Sequence, residues 1–293
     1  MSATRHQAIF VIPALLWFTS SASAQTAEPK AQPTLRSVVR QGSTTTYFDC
    51  VKMILPDLQF DASEPNSATA HRTIPIRNIE EKEAESLEGD FSISTFGTRS
   101  TMSDGRQVLL LQLDLTAEGL NEATPYQGEA SLLAAFSLDP TTKLLDVMDV
   151  KTDRFTDFWE QQPVFPLNSQ NGAFVIHNTH WNSGESYNDI RVLFLRHGRF
   201  DTITSVFLLN TQGCGADITE TPSFRALPES RKYPKLLVKV TLKKDADKAE
   251  CSRRTPGYTR YYQGVFSWNP VKSEYQGNAR QLNALDKFNR ARL

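Results

Sequence analysis

The feature that most constrains the fold is a series of short β-forming runs that begins at Phe91 and continues almost to the end of the chain. β-branched, aromatic and aliphatic residues dominate the runs, and turn-forming residues separate them, a pattern typical of strands. The predicted strands are residues 91–96, 107–115, 130–138, 144–150, 173–181, 190–196, 200–209, 236–242 and 258–268.

The connections between these runs are short. Asp104-Gly105 and His197-Gly198 each stand between two β-forming runs, which favours a hairpin with a tight turn. Because parallel strands need long crossover connections, such short connections predict antiparallel neighbours. The sequence therefore predicts a mainly β fold, an antiparallel meander that forms a sandwich, a barrel or a partial propeller.

The end of the sequence carries a helical pattern. Leu282, Leu285, Phe288 and Ala291 recur every three residues within residues 278–292. This spacing places apolar side chains on one face of a helix, so we expect a C-terminal amphipathic helix.

Residues 1–24 have the pattern of a secretory signal peptide. Arg5 gives a positive start, residues 8–18 are an apolar run, and Ala22-Ser23-Ala24 resembles a cleavage site. The apolar run is too short to span a bilayer and no second one follows, so we expect no transmembrane segment after cleavage. The small-residue cleavage site predicts a bacterial protein that is periplasmic or secreted.

The rest of the chain divides by composition into two parts. Residues 25–90 form a polar N-terminal segment, with one strand-like run at residues 44–48. Five glutamates between positions 80 and 88 favour a short acidic helix or a solvated linker at residues 79–87. Residues 91–293 form the predicted β-rich domain that ends in the helix.

Three cysteines follow the predicted signal peptide: Cys50, Cys214 and Cys251. An oxidising compartment makes a disulfide the default, and Cys214 and Cys251 share the C-terminal third of the chain, so we predict that they pair. Cys50 is then either buried as a small apolar residue or the true partner of one of the others, because sequence alone does not fix connectivity.

Charge is distributed unevenly along the chain. Residues 25–224 contain 15 Lys and Arg against 27 Asp and Glu, whereas residues 225–293 contain 16 against 6. Either the two parts dock and neutralise each other, or the basic part faces an anionic partner.

Two histidines are the candidate metal ligands. His177 and His180 could bind zinc from a helix or a tight turn, but the residues before them indicate a strand. Side chains three residues apart on a strand face opposite sides, so only a bend at Asn178 would bring the two together.

The candidate ligand-binding residues are Trp181, Arg253, Arg254, Arg260 and Tyr262. Trp181 stands in a polar stretch and could stack on a sugar or an aromatic ligand. The other four belong to a basic and aromatic C-terminal region that also contains Tyr261. In an exported protein this mixture indicates an anionic envelope polymer or an acidic protein as partner, not nucleic acid. Strand alternation predicts that Lys239 faces outward and that Arg260 and Tyr262 share a face.

The sequence contains no P-loop, dinucleotide fingerprint, nucleophile elbow or zinc-protease motif. We therefore expect an exported β-protein with a non-catalytic binding or structural role in the cell envelope. One alternative is an envelope-directed hydrolase, assisted by a metal at His177 and His180. Another is an inhibitor or partner-binding module that uses the basic C-terminal segment.

Overall fold

Strands build most of the structure. The computed structural model describes residues 33–60, 67–79, 83–117, 128–152, 155–182, 184–214, 217–229, 231–248, 251 and 255–292. Contacts divide the chain after Pro33, and the strands and helices all belong to the unit Thr34–Leu293. The predicted signal peptide, residues 1–24, lies outside the described residues. Within the part described, no helix is long and apolar enough to cross a membrane.

The elements follow in chain order. They are α1 (Tyr47–Lys52), β1 (Gln59–Phe60), β2 (Ala68–Arg72), β3 (Ile76–Asn78), β4 (Ala84–Glu85), β5 (Glu88–Ser103), β6 (Arg106–Ala117), β7 (Gly128–Ser137), β8 (Lys143–Asp149), β9 (Phe155–Phe158), β10 (Val164–Pro166), β11 (Gly172–Asn182), β12 (Glu185–Arg196), β13 (Arg199–Thr211), β14 (Ile218–Ala226), β15 (Leu236–Lys244), β16 (Tyr258–Asn269), β17 (Glu274–Asn278) and α2 (Arg280–Arg290). Each predicted strand falls within one of these, apart from single residues at the ends of two, and α2 confirms the predicted helix.

The strands form two sheets, both largely antiparallel. The order in the first sheet is β1-β2-β5-β6-β7-β8-β3-β4, and β3 pairs with β8 in parallel. The order in the second is β10-β11-β12-β13-β14-β15-β16-β17, and β9 pairs with β11 beside β10. The end strands of each sheet do not pair with each other in the described residues, so both sheets are open and the mainly β, antiparallel prediction is confirmed.

The two predicted hairpin turns are also confirmed. Asp104 and Gly105 have φ of 47° and 75°, and His197 and Gly198 have φ of 51° and 75°. Two successive positive φ angles match the right-handed twist of the strands that the turn joins. The turns connect β5 to β6 and β12 to β13.

The buried apolar residues form three cores, one between the two sheets and one on another face of each sheet. The inter-sheet core lies between the sheets and consists of Val108, Leu110, Leu133, Ala135, Met148, Val150, Phe158, Phe174, Ile176, Leu193, Leu195 and Phe200. The first core lies on the opposite face of the first sheet, where Leu35, Ile54 and Leu55 cover residues such as Leu111. The second core lies on the inner face of the second sheet, where α2 packs against β16 and β13 and buries Leu282 and Leu285.

The predicted strand at residues 44–48 of the N-terminal segment is wrong. Tyr47–Lys52 is a helix, and Thr46 and Asp49 form a reciprocal capping box at its start. Such a box satisfies backbone donors that a helix start leaves free. Cys50 and Val51 of this helix are fully buried in the first core, so capping and burial together outweigh the β propensity of the Thr and aromatic residues.

Two further predictions, for residues 79–87 and for a domain boundary after residue 90, also differ from the structure. Where a short helix or a linker was expected, Ala84–Glu85 forms a strand that pairs with β3. Residues 80–82 lie outside the described part. The predicted boundary between residues 90 and 91 falls inside β5, because that strand begins at Glu88 and continues to Ser103.

Cys214 and Cys251 form the predicted disulfide, with Cα atoms 5.5 Å apart. It joins the connection between β13 and β14 to the connection between β15 and β16. Cys50 is free and fully buried in α1, and burial raises the pKa of its thiol to about 12. It is therefore buried as a small apolar residue, the first of the two predicted alternatives.

Candidate functional site

The structure does not bring His177 and His180 together. β11 pairs with β12 in continuous register from Ala173 to Asn182, so there is no bend at Asn178. His177 Nδ1 lies 2.9 Å from Thr179 Oγ1, and burial lowers the pKa of this imidazole. In the described part of the chain no three His, Cys, Asp or Glu side chains are grouped to hold a metal ion.

His180 and Trp181 lie at the end of β11, on opposite faces of the strand. The His180 ring stacks on Tyr187 at 4.9 Å between centroids, and Trp181 stacks on Phe155 at 4.4 Å. The Trp181 side chain is 50% exposed, with Phe155 covering one face of the indole. It lies apart from the predicted basic and aromatic region.

Arg260 and Tyr262 share one face of β16, as predicted, and it is the inner face. They pair with Leu242 and Val240, which are fully buried in the second core. Tyr262 packs against that core, and the Arg260 guanidinium lies 4.7 Å from the centroid of the Tyr258 ring. Arg253 and Arg254 lie outside the described residues.

The opposite face of β14, β15 and β16 is open to solvent. Every second residue of β14 and β15 is buried, and the register aligns the outward residues of β16 with those of β15. Outward positions carry mainly hydroxyl, amide and basic side chains. They are Thr219, Thr221, Ser223, Arg225, Leu237, Lys239, Thr241, Lys243, Thr259, Tyr261, Gln263, Val265, Ser267 and Asn269. We call this surface the basic face.

An aromatic side chain and three cations define the chemistry of the basic face. Tyr261 is 61% exposed, and Lys239 Nζ lies 4.2 Å from its ring centroid. Arg225 and Lys243 extend the positive charge to either side. These three strands are described throughout, and their outward positions include no Asp or Glu. Lys239 faces outward, as strand alternation predicts.

Lys243 has its acidic neighbour at the end of the strand. Its Nζ lies 2.7 Å from Asp245 Oδ1, and this hydrogen bond raises the pKa of the amine. The next residue, Lys244, points inward instead and donates to Thr255 Oγ1 at 2.6 Å. The two adjacent lysines therefore have different roles, since only Lys243 belongs to the basic face.

Where the structure describes both parts of the chain, the ion pairs between the acidic part and residues 225–292 lie away from the basic face. Among the described residues, two ion pairs join residues 225–292 to the acidic part: Lys232–Asp104 and Arg292–Glu220, each 3.0 Å long. Neither involves an outward residue of β14, β15 or β16. Among the described residues, the cations of the basic face therefore form no ion pair with the acidic part of the chain.

A second polar group lies between the sheets and holds them together. Gln112 Nε2 donates to Asp114 Oδ1, Ser131 Oγ and the carbonyl of Thr156, at 2.8, 3.0 and 3.1 Å. Gln112 is almost fully buried, so a buried amide bonds to strands of both sheets. Such a satisfied network fixes how the sheets pack.

Sequence reasoning missed Arg225 because it missed β14. The run from Ile218 to Ala226 contains Pro222, a residue that is uncommon inside strands, and its alternate positions are not all apolar. In the structure, buried and exposed residues alternate along β14, with Ile218, Glu220 and Phe224 pointing inward. The sequence signal for this strand was weak, because one of the inward residues is a glutamate.

Comparison with known protein families, with curated proteins and with solved structures finds no match for this chain. The fold and the basic face define a two-sheet, antiparallel β-protein with a C-terminal helix and an open cationic surface.

Proposed function

We propose that this protein is exported and that it binds an anionic polymer of the cell envelope, without catalysis, through the basic face. The observation that carries the proposal is the combination of Arg225, Lys239 and Lys243 with the exposed ring of Tyr261. A surface with one sign of charge raises the local concentration of oppositely charged partners.

Export is supported by two features of the chain. Residues 1–24 have the signal-peptide pattern, and the Cys214–Cys251 disulfide suits an oxidising compartment. Both agree with a periplasmic or secreted bacterial protein.

A polymer suits the spacing of the cations. Lys239 and Lys243 are four residues apart on β15, which corresponds to about 13 Å along an extended strand. A single small anion does not span that distance, whereas a chain of anionic sugars presents charges over it repeatedly. The hydroxyl groups between the lysines can donate to and accept from sugar hydroxyls. Tyr261 offers a ring on which a sugar can stack.

The test compares two triple variants on columns of dextran sulfate and of uncharged dextran. Arg225→Thr/Lys239→Thr/Lys243→Thr removes the cations of the basic face. Lys52→Thr/Arg106→Thr/Lys143→Thr is the matched control, since it removes three exposed positive charges from the N-terminal half. We expect at least tenfold weaker binding to dextran sulfate for the first variant and little change for the control.

Two further measurements sharpen the result. Tyr261→Ala keeps the net charge, and we expect it to weaken binding several-fold if a sugar stacks on the ring. Raising the salt concentration should weaken wild-type binding steeply, because exposed charges are screened within about 8 Å at physiological ionic strength. Equal binding by both triple variants, or binding to polyglutamate but not to dextran sulfate, contradicts the proposal; the latter result indicates an acidic protein partner.

A further inference from the structure

One edge of β13 is left without a strand over most of its length. β13 pairs with β12 along its whole length, from Arg199 to Thr211, but with β14 only at Thr211 and Ile218. Beyond that point β14 diverges from β13. An unpaired edge exposes backbone N–H and C=O groups that can pair with another chain.

Side chains cap this edge near the C-terminal end of β13, at Phe207 and Leu209. The N–H of Leu209 donates to Glu220 Oε2 at 3.0 Å, and Asn289 Nδ2 donates to the carbonyl of Phe207 at 3.1 Å. Arg292 Nη2 donates to the carbonyl of Leu209 at 3.3 Å and to Glu220 Oε1 at 3.0 Å. Three side chains thus replace the hydrogen bonds of a strand there. At the other end of β13, the N–H of Phe200 donates to Asp146 and its carbonyl accepts from Arg77. In the described structure, no such side-chain cap lies on the N–H of Ser205 or of Phe207.

A cavity of about 730 Å³ opens beside the uncapped part. Four consecutive residues of β13, Thr204 to Phe207, line it. Because successive side chains of a strand point to opposite faces, a cavity that touches four in a row lies along the edge of the strand. The volume is within the range of about 300–1,000 Å³ typical of ligand sites.

The capped residues show which backbone groups face the cavity. The carbonyl of Phe207 and both backbone groups of Leu209 point away from β12, towards the caps. Alternation along the strand therefore places the N–H of Phe207 and the N–H and C=O of Ser205 on the same edge. The Ser205 carbonyl accepts a 3.3 Å hydrogen bond from the hydroxyl of Thr204, and a carbonyl oxygen has a second lone pair that can accept another hydrogen bond.

Charged groups of both signs surround this edge. Arg191 and Asp189 of β12 form an ion pair of 3.0 Å, and Arg290 and Asp286 of α2 form another of 3.0 Å. The Arg290 guanidinium lies 5.0 Å from the centroid of Phe207. The lining is therefore balanced in charge, in contrast to the basic face.

We propose that this cavity binds an extended peptide, which adds a short strand to the edge of β13. The N–H groups of Ser205 and Phe207 donate to peptide carbonyls, and the Ser205 carbonyl accepts from a peptide N–H. Two donors spaced about 6.6 Å apart on a strand edge, with an acceptor between them, match the repeat of a polypeptide backbone. The two ion pairs offer partners to peptide side chains of either charge. This site is separate from the basic face and does not depend on it.

The first experiment measures amide hydrogen exchange by NMR in the full mature chain. Without peptide, we expect the amides of Ser205 and Phe207 to exchange at least a hundredfold faster than the capped amide of Leu209. A mixture of N-acetylated hexapeptide amides, randomised at all six positions, should slow both at least tenfold. Slow exchange of both amides in the free protein, or no slowing with peptide, overturns the proposal.

The second experiment compares Ser205→Pro with Ser205→Ala. Proline removes the N–H that faces the cavity and leaves the bonds to β12, whereas alanine removes only the hydroxyl. We expect peptide binding to be lost with proline and kept with alanine. Hexapeptides N-methylated at every residue, which leaves neither edge of the peptide able to donate, provide a test with unaltered protein and should fail to bind. Binding of the methylated peptides as strong as that of the unmethylated mixture rules the site out.

Discussion

The first sheet and the basic face of the second are built alike but differ in how many faces are covered. Leu110 and Leu111 are neighbours on β6, point to opposite faces, and are both fully buried. Lys239 and Val240 are neighbours on β15, and only Val240 is fully buried. Antiparallel pairing is common to both, so the difference lies in what packs on the second face. A sheet offers a binding surface where nothing covers it.

The covering elements explain this contrast. Residues 34–58, which include α1, pack over the outer face of the first sheet. α2 packs inside the second sheet and contributes Leu282 and Leu285 to its core. No described element packs over the outward residues of β14, β15 and β16, and Tyr261 remains largely exposed.

The largest expected change in stability tests whether the first sheet is covered on both faces and the basic face on one. Leu110→Ala and Leu111→Ala should each lower the free energy of unfolding by about 2–5 kcal/mol, because each leaves a cavity in a different core. Lys239→Ala should lower it by less than about 1 kcal/mol. Urea denaturation measures all three. A small loss for Leu111→Ala would mean that residues 34–58 do not cover the first sheet as described.

The disulfide should have the next effect in size. Cys214→Ala/Cys251→Ala opens a loop of 37 residues, which corresponds to about 4 kcal/mol on the chain-entropy model. Reduction of the wild-type protein is the control and should give a similar loss. Cys50, on the side of the first sheet, should stay unreactive towards maleimide in the folded variant because it is buried with a raised pKa. A loss below about 1 kcal/mol would show that the bridge contributes little.

The smallest effect concerns the pH dependence of the second sheet. Burial lowers the pKa of His177 below its ordinary value of about 6.5, so the unfolded chain binds this proton more tightly. The contribution of His177 to stability should therefore fall as the pH falls below about 6.5, by at most about 1.4 kcal/mol per pH unit for one proton. His177→Gln should reduce that slope. His180→Gln, on the opposite face of β11, shows whether the reduction is specific, and an unchanged slope for His177→Gln would contradict the assignment.

Local signals in the sequence were sufficient for nine of the strands, for the two hairpin turns and for the C-terminal helix, but not for β14. Asp104-Gly105 and His197-Gly198 are turns because the backbone there needs positive φ, which these residues tolerate. The spacing of Leu282 and Leu285 predicted α2 because one face of the helix had to be buried. Proximity along the chain and an even count of two cysteines in one region predicted the disulfide.

Features that depend on distant contacts could not be predicted in this way. The β propensity of residues 44–48 was outweighed by the capping box of Thr46 and by burial of Cys50. Alternation along β15 predicted that Lys239 faces outward, but the basic face also needs β14 and β16 beside β15 in the observed register, which no local pattern encodes. The edge of β13 is free because β14 diverges after Thr211, and the sequence gives no sign of that divergence.

The caps supplied by Asn289 and Arg292 have a consequence for how the chain assembles. Both residues follow every described strand in chain order, whereas the carboxylate that they bond, Glu220, lies about seventy residues earlier. During synthesis, Glu220 therefore lacks its hydrogen bonds to Asn289 and Arg292 until the end of the chain has emerged. Docking of α2 is then a late step in assembly. A polypeptide that ends before α2 would expose the backbone carbonyls of Phe207 and Leu209 at the gap between β13 and β14. That exposed backbone would be open to proteases and to pairing with other copies of the chain.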